Sequence, residues 1–205
     1  MAAMRVLFAA FLAVAATGVH HTHAGTAEAH RALVRHADLG AGWIAGATPK
    51  KVGSLACATV ALKGVVEIGS AVSPTYRRSA AGPFLSESAF TYNSSAGAAT
   101  FFKRVATRGA LSCLAQTILN GASSSGVSFT VVQKQALAAP RVSAKAAAYR
   151  IVGRAKVSSQ KVDVYIDLVL LQRGNAIAEI GLSSFAVPVA RADELAIARS
   201  AAARL

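Results

Sequence analysis

The sequence predicts an α+β fold: one antiparallel sheet of about six strands, with helices packed on one face, in a single domain. Three observations predict it. Between Ala144 and Val187, apolar residues recur at every second position in three consecutive runs, the signature of half-buried strands. Around Phe101-Phe102 and again around Leu195, apolar residues recur at helical spacing instead, which marks amphipathic helices. Strand-like and helix-like segments are segregated along the chain, and that favours helices layered on an antiparallel sheet.

The three alternating runs form a meander whose register can be worked out. Ala147, Tyr149, Ile151, Gly153, Ala155 and Val157 make one face of the first strand; Val162, Val164, Ile166, Leu168 and Leu170 make the same face of the second. Pairing Val157 with Val162 makes these faces coincide and sets Ile151 opposite Leu168 and Lys156 opposite Asp163, an opposite-charge cross-strand pair. A one-residue slip would turn one apolar face to water. At Arg173-Gly174-Asn175, a three-residue loop with a bulge pairs Leu170 with Ala178, Leu168 with Ile180 and Ile166 with Leu182. A two-residue turn would set Leu168 against Glu179, on the wrong face. Arg150, Arg154, Lys156, Asp163, Tyr165, Asp167 and Glu179 then make the solvated face.

The remaining elements follow in order. Thr26 caps a helix reaching about Ala37, with Glu28 near its positive end. Gly40 and Gly42 force a turn ahead of Trp43, the only tryptophan. Residues 48–62 are irregular. Val65 to Tyr76 reads as a strand, with Pro74 marking an edge or an end. Gly82-Pro83 turns the chain into a second strand through Tyr92, and the two form a hairpin. A helix opens at Asn93-Ser94-Ser95 and buries Ala98, Phe101, Phe102 and Val105. Gly109 separates it from a second helix that holds Cys113 and ends at Asn120-Gly121. Val127 to Leu137 is a further strand. A closing helix runs to Leu205, with Asp193 and Glu194 at its start and Arg199 and Arg204 near its end, as the helix dipole favours.

A chain of 205 residues suits one domain preceded by a processed leader. Arg5 followed by the apolar run Val6 to Ala16, with small residues at Thr22-His23-Ala24, reads as a signal peptide over 1–24 and a secreted domain over 25–205. The apolar run is shorter than the roughly 20 residues a membrane span needs. The cysteines are Cys57 and Cys113, and in an exported chain they are expected to form one disulfide; two buried free thiols are the alternative. A bridge closing so long a loop stabilises by about 4 kcal/mol in the chain-entropy model.

The net charge of +13 stays strongly positive when Arg5 leaves with the leader. It favours an anionic partner such as lipid, acidic polysaccharide or a polyphosphate cell-wall polymer, or it serves solubility alone. Nucleic acid is not expected, because no basic stripe interleaved with aromatics is present. Trp43, Arg150, Arg154 and Lys156 are the candidate ligand or anion contacts, although the favoured reading of Trp43 is a plug that anchors the first helix to the core.

No catalytic constellation stands out. His30 and His36 are the only histidines past residue 24, six apart and so on different faces of a helix, and no Gly-x-Ser-x-Gly elbow exists. Asp163 and Asp167 on one strand would lie about 13 Å apart, beyond the roughly 5–9.5 Å of a glycosidase pair. Two cysteines without nearby histidines fall short of a zinc site. A non-enzymatic protein without cofactor or metal is expected.

The Ala37-Asp38-Leu39-Gly40-Ala41-Gly42-Trp43 segment, Cys57, the Phe101-Phe102 helix followed by Cys113, and the closing meander and helix together resemble the extracellular sensor-domain family of actinobacterial-type receptor serine/threonine kinases, as a free-standing secreted member. The resemblance implies a non-enzymatic domain whose sheet and helices frame a cleft for an unknown ligand. Kinase-attached members have two disulfides, whereas this chain can form one. A secreted monomeric binding domain is therefore the expectation; an envelope protein holding anionic lipid or polysaccharide through its basic surface, in peripheral contact with a membrane, is the alternative.

Overall fold

A computed structural model describes residues 20–49, 63–124, 128–157 and 160–205. It is an α+β structure built on one open antiparallel sheet. The helices are α1 (His23–Ala32), α2 (Ser95–Val105), α3 (Arg108–Ser124) and α4 (Arg191–Arg204). The strands are β1 (Ile44–Ala45), β2 (Glu67–Val72), β3 (Tyr76–Arg77), β4 (Phe84–Tyr92), β5 (Ser128–Leu137), β6 (Lys145–Val157), β7 (Gln160–Arg173) and β8 (Ala176–Phe185). The sheet therefore has eight strands rather than about six, because the stretches beside Trp43 and Pro74 contribute the two-residue strands β1 and β3.

The strand order is β1-β3-β4-β8-β7-β6-β5. β4 pairs with β8 along its length, from Phe84 opposite Ser183 to Thr91 opposite Ala176. Its other edge is shared: β2 takes the part around Ser88 to Tyr92, and β3 takes Phe84 and Leu85. The hairpin expected on either side of Gly82-Pro83 is thus the β2–β4 pair, with β3 formed from the connection.

Helices cover both faces of the sheet, not one. Phe90, Tyr92, Ile166, Leu170 and Ile177 pack with Phe101, Leu114 and Ile118 of α2 and α3. The alternate residues Leu85, Val169, Leu171, Ile180 and Leu182 pack with Ile197, Ala198 and Ala201 of α4, while Ala29 and Ala32 of α1 lie on Ala71 and Ala89. Successive strand residues point to opposite faces, so a central strand covered on both sides buries both parities. Every residue of β8 is buried. An apolar helix stripe states that a helix packs; it does not state on which side.

α1 begins earlier than Thr26. Thr22 is the N-cap, its Oγ1 accepting the Gly25 N–H at 2.9 Å. The chain enters along β2, with the Thr22 N–H donating to Ile68 O at 2.8 Å. The helix crosses β2 on two glycines: a Cβ on Gly69 would overlap the Gly25 backbone, and one on Gly25 would overlap the Ile68 carbonyl. It ends after Ala32, before the expected Ala37, where Glu87 Oε2 accepts the Val34 N–H at 2.6 Å. His36 belongs to a separate 3-10 turn, His36–Asp38.

The meander forms, in a different register at each hairpin. In β6–β7, Ile151 lies opposite Ile166, Arg154 opposite Asp163 and Arg150 opposite Asp167, two residues away from the expected Lys156–Asp163 pairing. A two-residue shift preserves both faces, so hydrophobicity cannot choose; the observed register makes two Arg–Asp pairs where the expected one made a single Lys–Asp pair. In β7–β8, Arg173 pairs with Ala176 across the two-residue turn Gly174-Asn175, and Gly174 takes the positive φ of 57° that the turn requires. Leu170 then faces Glu179 and Leu168 faces Gly181. Glu179 sits on the α2 side, 2% exposed, and Asp167 on the α4 side is 0% exposed. Neither belongs to a solvated face.

Cys113 lies on α3 and is not a free thiol. Its expected partner Cys57 lies outside the described residues, as do the apolar run Val6 to Ala16 and most of the irregular segment 48–62. No helix among the described residues is long and apolar enough to cross a membrane.

Candidate functional site

The start of α2, the start of β6 and the end of β7 meet around an open recess of about 700 Å³. Ser95, Ala96 and Ala99 form its helical wall; Ser143, Ala144 and Lys145 come from the entry to β6; Gln172, Arg173 and Gly174 come from the turn out of β7. Each part follows from local sequence. Ser94 caps α2 by accepting the Gly97 N–H at 3.1 Å, which places Ser95 and Ala96 in the first turn, whose amides have no acceptor within a helix. Gln172 is buried and its Nε2 donates to Gly174 O at 2.7 Å, bracing the turn. Lys145 stands opposite Gln172 across the ladder. Arg173 reaches the C-terminal end of α4, with Nη1 3.5 Å from Ala202 O.

The lining is rich in donors. It offers hydroxyls, an ammonium and a helix start carrying partial positive charge, and it contains no carboxylate; the Arg173 guanidinium points away, to the end of α4. Such a surface accommodates an anionic or polyhydroxylated group and offers no pair of groups for acid–base chemistry. Among the described residues no cluster of three His, Cys, Asp or Glu side chains could hold a metal ion.

The residues singled out from the sequence lie elsewhere. Arg150, Arg154 and Lys156 share the α4 face of β6, at the other end of the sheet. Arg150 is bidentate to Asp167, Nε to Oδ1 at 2.6 Å and Nη2 to Oδ2 at 2.7 Å, and its side chain is 17% exposed; it serves the buried carboxylate. Arg154 is exposed and donates to Asp163 Oδ1 at 2.8 Å. Lys156 is exposed. Trp43 is apart from all three. It is 4% exposed within the α4-side core, and the Arg78 guanidinium lies 5.1 Å from its ring centre. Arg78 is held in turn by Asp193 at 2.8 Å. The ring has no free face for a ligand and acts as the anchor of the first turn region.

His36 Nε2 donates to Trp43 O at 2.7 Å and its ring stacks on Tyr76, a structural role; His30 is exposed.

Sequence reasoning missed the buried acids. Glu67, Glu87, Glu179 and Glu194 are all at most 2% exposed. Burial pushes the carboxyls of Glu87 and Glu179 up to about 8, and the nearby Glu67 pushes Glu179 in the same direction. Glu67 is raised by burial against the opposing hydrogen bonds from His21 and Ser70. Glu67 Oε2, Glu87 Oε1 and Glu179 Oε2 have no hydrogen-bond partner among the described residues, which fits carboxyls held neutral by a low dielectric. Glu87 alternates with Leu85 and Ala89 on a central strand, and a carboxyl inside such a run is the one available signal.

No family model matches the chain, and no curated protein matches it.

Proposed function

We propose that the protein is an exported, non-enzymatic binding domain, stapled by a Cys57–Cys113 disulfide, whose recess at the start of α2 holds a small anionic ligand. The observation that carries this reading is the lining itself. Three segments far apart in sequence converge on one open hollow with serine hydroxyls, Lys145 and the first turn of α2, and with no acid to repel an anion. Helix starts favour negative charge through their unpaired amides and the macrodipole. The hollow lies between a helix and strand ends, where a rigid scaffold can present such groups without a catalytic dyad. The chain's excess positive charge adds long-range attraction for the same class of ligand.

Native mass spectrometry of protein isolated from its host tests this. An adduct that leaves on denaturation, and that is lost from Lys145→Gln and Ser95→Ala variants, is the expected result. Bare protein from the host, with no adduct acquired from a panel of phosphorylated and carboxylated metabolites, overturns it.

A further inference from the structure

The α4 side of the sheet is covered at one end only. α4 lies over Val169, Leu171, Ile180 and Leu182, and beyond Asp167, toward the β6–β7 hairpin tip, Val152 and Tyr165 are half-buried while Arg154, Lys156 and Lys161 are exposed. The register places Val152 opposite Tyr165, Arg154 opposite Asp163, and Lys156 directly opposite Lys161. Like charges facing each other across a ladder are destabilising. Neither lysine takes part in a salt bridge among the described residues. A register two residues away would have given Lys156 an aspartate, so the paired Arg–Asp contacts are satisfied at the cost of leaving two cations side by side.

We propose that this open end of the sheet is a docking surface for a linear phosphate-bearing polymer, with Lys156 and Lys161 as its principal contacts. The two arginines of this face already have carboxylate partners, so the free cations are ammonium groups. These act as point charges and bind phosphate without a fixed fork geometry. A phosphate between the two lysines removes their mutual repulsion, and a chain of phosphates can continue past Arg154 and the Tyr165 ring. A membrane fits this face less well. Interfacial binding buries a contiguous apolar face, whereas Val152 and Tyr165 are half-buried between charged side chains and the exposed Val187 stands singly. The surface lies at the opposite end of the sheet from the recess and does not rest on it.

The test uses the full folded chain and linear inorganic polyphosphate, with orthophosphate and phosphatidylglycerol vesicles as comparison probes. Polyphosphate should bind with strong salt dependence while orthophosphate does not bind measurably. The Lys156→Gln/Lys161→Gln variant should weaken polyphosphate binding about tenfold and flatten the salt slope by about 0.7 per lysine removed, as counterion release at a flexible polyanion requires. Both lysines are exposed, so the variant should keep its fold. A Lys103→Gln/Arg199→Gln variant, with the same loss of charge on other exposed positions, should bind like the parent. Equal weakening by the two double variants would show that net charge alone is responsible, and would overturn the proposal. So would binding to the vesicles without binding to polyphosphate.

Discussion

His21 Nε2 lies 2.9 Å from Glu67 Oε1, and this contact ties the residues ahead of α1 to the first long strand. The His20 N–H donates to Glu67 O, the Thr22 N–H to Ile68 O, and Thr22 caps the helix. Residues 20–24 are therefore part of the folded domain. If a signal peptidase removes a leader, the cut is expected on the N-terminal side of His20 and not after Ala24. Intact mass of the exported chain reads this directly. A chain begun at Gly25 should lose about 1 kcal/mol from the missing cap alone, measured by urea denaturation. The same mass measurement reads whether two hydrogens are missing from Cys57 and Cys113.

The buried acids make stability depend on pH in an unusual direction. Glu87 and Glu179 titrate near 8 when folded and near 4.3 when unfolded. Between those values the folded state binds more protons than the unfolded one, so stability falls as pH rises. Their contribution is complete below about pH 4.3 and gone above about pH 8, with a slope of at most about 1.4 kcal/mol per pH unit for each group. Asp38 acts oppositely: Arg204 holds its carboxyl below the usual range, and that stabilisation is lost as pH falls through its folded pKa. The melting temperature should peak in mildly acid buffer, and Glu87→Gln and Glu179→Gln should each flatten the decline toward pH 8.

The two cross-strand Arg–Asp pairs should differ sharply in worth. Arg150→Leu leaves Asp167 buried and unpaired and should cost about 3–5 kcal/mol. Replacing both partners with apolar residues of similar volume should recover most of that loss. Arg154→Ala exposes a pair already half in water and should cost less than about 1 kcal/mol. Urea denaturation of the three variants checks the ranking.

Gly69 and Gly25 allow α1 to lie directly on β2. Gly69→Ala places a methyl group inside the backbone of the helix start, where no flexible side chain can yield. It should destabilise by about 1–3 kcal/mol or more and should raise hydrogen exchange in α1 before it does so in β7 or β8.

The sheet is largely legible in the sequence because period-two alternation survives in β6, β7 and β8. Register is less so. Lys156–Asp163 and Arg154–Asp163 both match charges and both keep Ile151 inward, and only the second Arg–Asp pair at Arg150 separates them. Glu179 is misread because a carboxylate on an alternating strand is taken to face water, whereas α2 covers that face and the carboxyl is held neutral. Thr26 is taken as the cap only because the leader is taken to end at Ala24. The recess is not legible at all: Ser95, Lys145 and Gln172 carry no motif, and their meeting depends on how the β7–β8 turn sits against α2.

The shared edge of β4 has a consequence for the order in which the molecule can be completed. The hairpins among β5, β6, β7 and β8 close between near neighbours, but β4 lies between β2 and β8, and its pairing with β8 joins Phe84 to Ser183. Long-range closure of this kind is slow. During synthesis, the first hundred residues carry a strand whose principal partner is the last one made, so the chain cannot lock until it is almost finished. The strand order thus keeps the chain open until synthesis is almost complete, which is the state that the export proposed above requires.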